Sequence, residues 1–286
     1  MKHVRIEHDG RVVEGTLDGE VIRADGLELR TSEVQRWLSP IPVMPSKILA
    51  THLTYRSRAE EYKMARMPSE PSYFMKPPSS LSGHLAPVLR PAGCRFLNYE
   101  GEVAVVIGRR CHRVGLDEAL DYVGGYTVAN DWGVHDFRHA DRGSMLRVKG
   151  QDGFCPLGPV MVDPGDVDPE DLTLRTFVNG EEVQNGNTGS DLMFSFAYQI
   201  ADVARLITLE PGDVLLTGTP ANSRPVEPGD VVAVEVEGIG RLENTVVQDE
   251  EALPLLGEQP AVTAQTLHVA LTMPEDEAER SVDSVR

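Results

Sequence analysis

Glu100-Gly101-Glu102 stands directly ahead of the run Val103-Ala104-Val105-Val106-Ile107, and that junction constrains the chain most. An unbroken apolar run of strand length, rich in β-branched residues, has to be buried on both faces. Residues i and i+2 of a strand share a face, so the two carboxylates converge at the end of this buried element. Burying them is costly unless a cation compensates. Gly101 between them lets another chain segment or a ligand come close. On spacing alone the pair also fits solvated residues at a strand start, since Glu-x-Glu is a common triplet.

The 286 residues divide into three stretches. Residues 1–45 read as short strands joined at Asp9-Gly10 and Asp18-Gly19, with a helical piece at SEVQRWL, forming a small N-terminal β-rich module. A Pro-punctuated link sets the boundary near Pro45. Residues 46–248 carry the expected buried strands KILATHLTY, EVAVVIGR and YTVAND, and the expected helices GLDEALDYVGG and DLMFSFAYQIADVARLI. Two Pro-Gly-Asp turns, at Pro211 and Pro228, precede the strands VLLTG and VVAVEVEG. Strands dominate and helices do not alternate with them, which argues for an α+β fold and against Rossmann or TIM arrangements. Residues 249–286 hold nine acids and two arginines; the last dozen residues are expected to be disordered, while TLHVALTM is apolar enough that it could dock as a strand.

Charge narrows the partners. With 45 acidic and 27 basic side chains the net charge is −18, which repels phosphate backbones and anionic lipid, so neither nucleic acid nor a membrane is an expected partner. An anionic substrate would need a local cation to draw it in. Cys94, Cys111 and Cys155 are scattered and odd in number, with no CxxC pair, and no apolar stretch has signal or membrane-spanning length. A reduced, cytoplasmic protein is expected.

Asp131, at the polar end of YTVAND, is the candidate third ligand beside Glu100 and Glu102. Three carboxylates without clustered Cys or His specify a hard oxygen site for one divalent cation, Mg2+ or Mn2+, with Ca2+ as the alternative, rather than Zn2+.

Five linked segments carry a resemblance: NYEGEVAVVIGR, GGYTVANDWGVHDFR, KGQDGFCPLGP, VNGEEVQNGNTGSDLMFS and LEPGDVLLTGTP. In order and spacing they resemble the fumarylacetoacetate hydrolase superfamily over about residues 46–248. The resemblance implies a strand-dominated mixed-sheet roll of the C-terminal type found in that family, and a homodimer. It also implies a metal held by Glu100, Glu102 and Asp131. Lys149 occupies the family's lysine position, with Asp152 matching three residues on; a lysine near an enolate supplies charge stabilisation or a proton and attracts a carboxylated substrate. Thr217-Gly218-Thr219-Pro220 matches a segment whose Gly218 and Thr219 would hold a substrate carboxylate, and Lys76 matches the segment that follows the family's lid. Gln184, Asn187 and Thr188 match a supporting loop.

Departures are equally informative. Family hydrolases and decarboxylases usually carry N-Y-x-x-H-x-x-E, whose His–Glu pair activates water on a mobile lid. Here the stretch reads Thr54 to Glu61, with Glu61 kept and Arg58 at the histidine position. Arginine stays protonated, so it cannot be a general base; it could bind a second substrate carboxylate instead. His52 is the nearby candidate base, and residues 52–76 are expected to form the lid. His135 stands where many members have arginine, and ANSRPVEPGD replaces a glycine-rich continuation. These departures are similar to isomerase-type domains acting on 5-carboxymethyl-2-hydroxymuconate, although those depart from the Glu-x-Glu pattern kept here.

The resulting expectation is a metal-dependent enzyme acting through an enolate on a small anionic 2-oxo or β-dicarbonyl acid, with isomerisation in aromatic catabolism leading. C–C hydrolysis or 2-oxo acid decarboxylation is the alternative, and a catalytically silent metal-binding protein the remaining one.

Overall fold

The computed structural model describes residues 1–285. Five short strands open the chain: β1 (Lys2–His8), β2 (Arg11–Asp18), β3 (Val21–Ala24), β4 (Leu27–Arg30) and β5 (Arg36–Trp37). Next come β6 (Ile48–His52), the single-turn-and-a-half helix α1 (Arg56–Glu61) and β7 (Ser72–Lys76). The short strands β8 (Leu81–Ser82), β9 (Val88–Arg90) and β10 (Leu97–Asn98) lead into β11 (Gly101–Ile107), β12 (Val123–Asn130) and β13 (Gly133–Val134). Two four-residue helices, α2 (Arg138–Asp141) and α3 (Leu146–Lys149), precede β14 (Cys155–Val162), β15 (Thr173–Val178) and β16 (Glu181–Asn187). The chain ends with α4 (Phe196–Ala204), β17 (Val214–Leu216), β18 (Val231–Val236), β19 (Gly240–Gln248), α5 (Ala264–Leu271) and α6 (Glu275–Val285).

Among the described residues a twelve-stranded sheet runs β4-β3-β2-β1-β14-β12-β11-β17-β6-β7, with β5 and β8 at its side, and a five-stranded sheet runs β16-β15-β18-β19-β9. This is the strand-dominated mixed-sheet α+β roll the sequence predicts. β11 sits near the middle of the large sheet and is buried along its whole length. Val103, Val105 and Ile107 pack into one apolar cluster with Leu174, Phe196, Ile200 and Val234. Ala104 and Val106 pack into another with Leu97, Trp132, Val148 and Phe154. A strand buried on both faces needs no polar alternation, which is why this run is continuous.

Several local expectations change in three dimensions. Residues 1–45 form strands, but β1 pairs antiparallel with β14 (Val4 opposite Val160), so this module extends the main sheet. SEVQRWL yields one 3-10 turn and then β5, and GLDEALDYVGG only a 3-10 turn (Ala119–Tyr122) before β12, because sheet pairing captures the flanking residues. The tail differs from expectation: residues 275–285 form a helix, Arg286 lies outside the described residues, and no strand forms there among the described residues. TLHVALTM lies mostly in α5, capped by Thr263, and α6 follows. Leu267 and Ala270, one turn apart on α5, and Ala278 of α6 bury against Phe96, an apolar contact that the acidic composition conceals. No helix among the described residues is long and apolar enough to cross a membrane.

Candidate active site

The antiparallel register of β11 and β12 sets Gly101 opposite Asn130, so Glu100 and Asp131 meet at one sheet end, where the Asp131 N–H donates to the Glu100 carbonyl at 2.8 Å. One oxygen from each of Glu100, Glu102 and Asp131 lies within 4.8 Å of the other two. Glu102 and Asp131 are buried. Burial, together with repulsion from Asp131 and Glu100, pushes the Glu102 carboxyl well above the usual carboxylate range, although it accepts a 2.7 Å bond from the Gly218 N–H. A buried carboxylate held at such a cost is what an oxygen-only cation site needs, so the residues fit a hard divalent ion. Gly101 is required here because a side chain would collide with Thr176 Oγ1 of β15. The close approach comes from the second sheet rather than from a ligand.

Two lysines flank the triad. Lys149, at the end of α3, lies 2.5 Å from Glu100 Oε2 and 3.0 Å from Asp131 Oδ2, and donates to the Asp131 carbonyl at 2.7 Å. Asp141 seats α3 by accepting bonds from the Arg147 and Val148 N–H groups. Burial opposes the Lys149 charge, but Asp131 and Glu100 outweigh it and raise its pKa. Lys76, expected to touch substrate, is wholly buried and does not line the cavity; it pairs with Asp131 and donates to the Phe154 carbonyl at 2.9 Å. Burial raises the Asp131 pKa, yet Lys149 and Lys76 outweigh it and hold Asp131 below the usual range.

The segment from His52 to Lys76 is ordered as β6, α1 and β7. Buried Arg58 donates to Glu61 at 2.6 Å and to the Tyr62 hydroxyl at 3.0 Å, and lies 3.6 Å from Glu100. Glu61 is also bound by Arg224 at 2.6 Å and by the Asn222 N–H at 3.0 Å. Burial raises the Glu61 pKa, but Arg58, the Asn222 N–H and Arg224 overcome it and keep the carboxylate ionised. So placed, the Glu61 carboxylate is engaged by two arginines and a backbone N–H, and the Arg58 charge is already matched.

A cavity of about 1400 Å3 opens over the triad, and Arg58, His52, Lys149 and Thr219 all line it. The other expected contacts do not. Asp152 is exposed on a turn, and Gly218 acts through its N–H on Glu102. Gln184 braces the floor, accepting from the Gly101 N–H at 3.2 Å and donating to Thr219 Oγ1 at 3.0 Å.

Two further residues stand on the cavity wall: His135, which the sequence marked as a change in the pocket, and Arg138, which it did not assign. His135 is 1 % exposed with both ring nitrogens unpartnered, and burial followed by Arg138, Lys149 and Arg58 drives its pKa well down, leaving a neutral ring. Arg138 donates to Met145 Sδ at 2.9 Å and makes no ion pair among the described residues. Its place three residues after His135, one turn on, was the readable signal. His52 stacks on Phe74, contacts Ser72 Oγ at 3.3 Å and is kept neutral by burial and then by Arg138 and Lys149.

Comparison with known proteins gives the same picture. The sequence matches the model of the fumarylacetoacetate (FAA) hydrolase C-terminal family over residues 47–247. A 4-hydroxyphenylacetate degradation bifunctional isomerase/decarboxylase of Salmonella dublin is 43% identical over 206 residues, 72% of this chain and 48% of that protein. The chain thus spans about half the length of that relative. The 5-carboxymethyl-2-hydroxymuconate delta-isomerase of Mycobacterium smegmatis superposes with a TM-score of 0.78 at 36% identity, covering 88% of this chain and all of that one. A maleylpyruvate hydrolase of Sphingobium sp. SYK-6, solved with manganese(II) and pyruvate, superposes at 0.74 with 27% identity over 87% of this chain and all of that one. With a family match across most of its length and the motif residues gathered at one sheet end, the chain belongs to the fumarylacetoacetate hydrolase family.

Proposed function

We propose that this protein is a divalent-metal-dependent enzyme that moves a proton through the enolate of a 2-oxo or β-dicarbonyl acid, in isomerisation of the 5-carboxymethyl-2-hydroxymuconate type. One observation carries the choice of reaction: among the described residues, no histidine lining the cavity is hydrogen-bonded to a carboxylate. Such a pair is what would activate water, and isomerisation needs none. The similarity to a 5-carboxymethyl-2-hydroxymuconate delta-isomerase supports the same reading.

Glu100, Glu102 and Asp131 would hold Mg2+ or Mn2+, which when bound supplies Lewis-acid polarisation of a substrate carbonyl. Lys149 stays charged and offers a fixed cation to the developing enolate oxygen. Arg138, lacking an acidic partner, is free to take a substrate carboxylate, a role Arg58 cannot fill while Glu61 and Glu100 match its charge. Neutral His52 can accept the proton from carbon.

C–C hydrolysis is the second reading, favoured by the neutral state of His52 and His135, either of which could take a proton from water. Deuterium uptake from solvent and product release, followed together by NMR on acylpyruvates and muconate-type acids with and without EDTA, separate the two. Isomerisation predicts EDTA-sensitive uptake with slow hydrolysis, lowered roughly 10²–10⁴-fold in His52→Ala. Fast hydrolysis that survives Arg58→Ala but fails in His52→Ala would establish the hydrolase.

A further inference from the structure

The family match ends at residue 247, yet the outer side of the cavity is built from the chain beyond it. α5 begins with reciprocal bonds, the Thr266 N–H donating to Thr263 Oγ1 at 3.1 Å and the Thr263 N–H to Thr266 Oγ1 at 3.2 Å. It is fixed to the end of α1 by the Tyr62 hydroxyl, which donates to the Val269 carbonyl at 3.2 Å. Asn98, close in sequence to Glu100, donates to the Ala270 carbonyl at 2.9 Å, and Arg224 donates to Thr272 Oγ1 at 2.9 Å. Leu267 and Ala270 of α5 and Ala278 of α6 close over Phe96. This docking puts Gln265, His268, Val269, Glu275 and Glu279 on the cavity wall.

The cations beside the triad and the unpaired acids of α6 lie on different walls of the cavity. On the inner side Lys149, Arg58 and Arg138 supply donors beside the acceptor triad Glu100, Glu102 and Asp131. On the outer side Glu275 and Glu279 offer only acceptors, and neither is ion-paired among the described residues, whereas Asp276 is paired with Arg280 at 2.9 Å. His268 Nδ1 lies 2.7 Å from the Met273 carbonyl, which can only accept. In the neutral ring Nδ1 therefore carries the proton and Nε2 keeps its lone pair, a further acceptor.

We propose that α5 and α6 form a specificity wall: a substrate whose carboxylate lies among the inner cations meets acceptors at its far end. The enzyme thereby selects 2-oxo acids whose outer end is uncharged or carries hydroxyl or amine donors, and disfavours a carboxylate there. This rests on the cavity being the substrate site and narrows the class, since the further carboxylates of a muconate-type acid then have to be met by Arg138 or by Lys63, which also lines the cavity.

The test uses the full-length, Mn2+-loaded protein and two acids of equal chain length, 2-oxooctanoate and 2-oxosuberate, which differ in the terminal carboxylate. Dissociation constants are measured at low ionic strength in wild type and in Glu275→Gln/Glu279→Gln. Neutralising the wall should raise the affinity for 2-oxosuberate relative to 2-oxooctanoate by about three- to tenfold, and about 0.5 M NaCl should shrink that gain. An unchanged ratio, or equal gains for both acids, overturns the proposal. Wild-type protein that binds Mn2+ but neither acid nor oxalate overturns the enolate reading itself, and the wall with it, so the two failures are distinct.

Discussion

The floor and the outer wall of this cavity face each other but are held by different physics. The floor is an ionic cluster locked by sheet register: Glu100, Glu102 and Asp131 at the ends of adjacent strands, with Lys76 and Lys149 against them and hardly any exposure among the three most buried. The wall is a helix pair carried by one small apolar cluster and a few side chain-to-backbone bonds, with its acids in solvent. In this buried ionic floor, removing a lysine strands a carboxylate away from water, whereas removing a carboxylate that its neighbours repel does not. A lightly docked helical wall can open or be re-charged without disturbing the sheet.

The largest effect should come from the floor. Glu102→Gln should abolish the Mn2+ heat seen by calorimetry and lower turnover by roughly 10³-fold or more. The same variant without metal should melt no lower than metal-free wild type, since it removes a carboxylate that burial and two neighbouring acids disfavour. Equal Mn2+ binding by the variant would detach the triad from the metal. Lys76→Met comes next. It takes away a buried partner of Asp131 and should cost about 3–5 kcal/mol in denaturant unfolding. A loss no larger than that of a surface lysine would mean that Lys149 alone satisfies Asp131.

The wall should respond differently. Leu267→Ala should cost about 2–3 kcal/mol locally. It should speed hydrogen exchange in α5 and, through Tyr62 and Val269, in α1, while β11 and β12 stay protected. Uniform acceleration across the molecule would show that floor and wall unfold as one unit.

The smallest effect is a pH signature beneath the sheet. His84 accepts from the Glu243 N–H at 3.0 Å and packs edge-on to Trp37, and burial, then Arg241, lowers its pKa from 6.5 to about 4. Between those values the unfolded chain binds the proton and the folded chain does not, so stability falls as the pH drops through that window. Replacement by Gln should flatten the fall by about 1–2 kcal/mol, measured as melting temperature against pH. An identical pH profile in the variant would assign the acid sensitivity elsewhere.

The sequence by itself determined the parts of this protein that depend on local periodicity. A continuous β-branched run must be a strand buried twice over, and period two must put Glu100 and Glu102 on one side of it. Linked motifs in the right order, not any single residue, made the family and the strand-dominated roll readable before any coordinates. Tertiary structure alone decided what depends on which surfaces meet. Lys76 became a buried brace for Asp131 because its strand runs beneath the site, and Arg58 lost its freedom because Glu61 and Glu100 close on it. The acidic tail became a wall because three small or apolar residues, two on α5 and one on α6, found Phe96. None of these follows from spacing, since a side chain's charge, pairing and exposure are set by neighbours tens to hundreds of residues away in the chain.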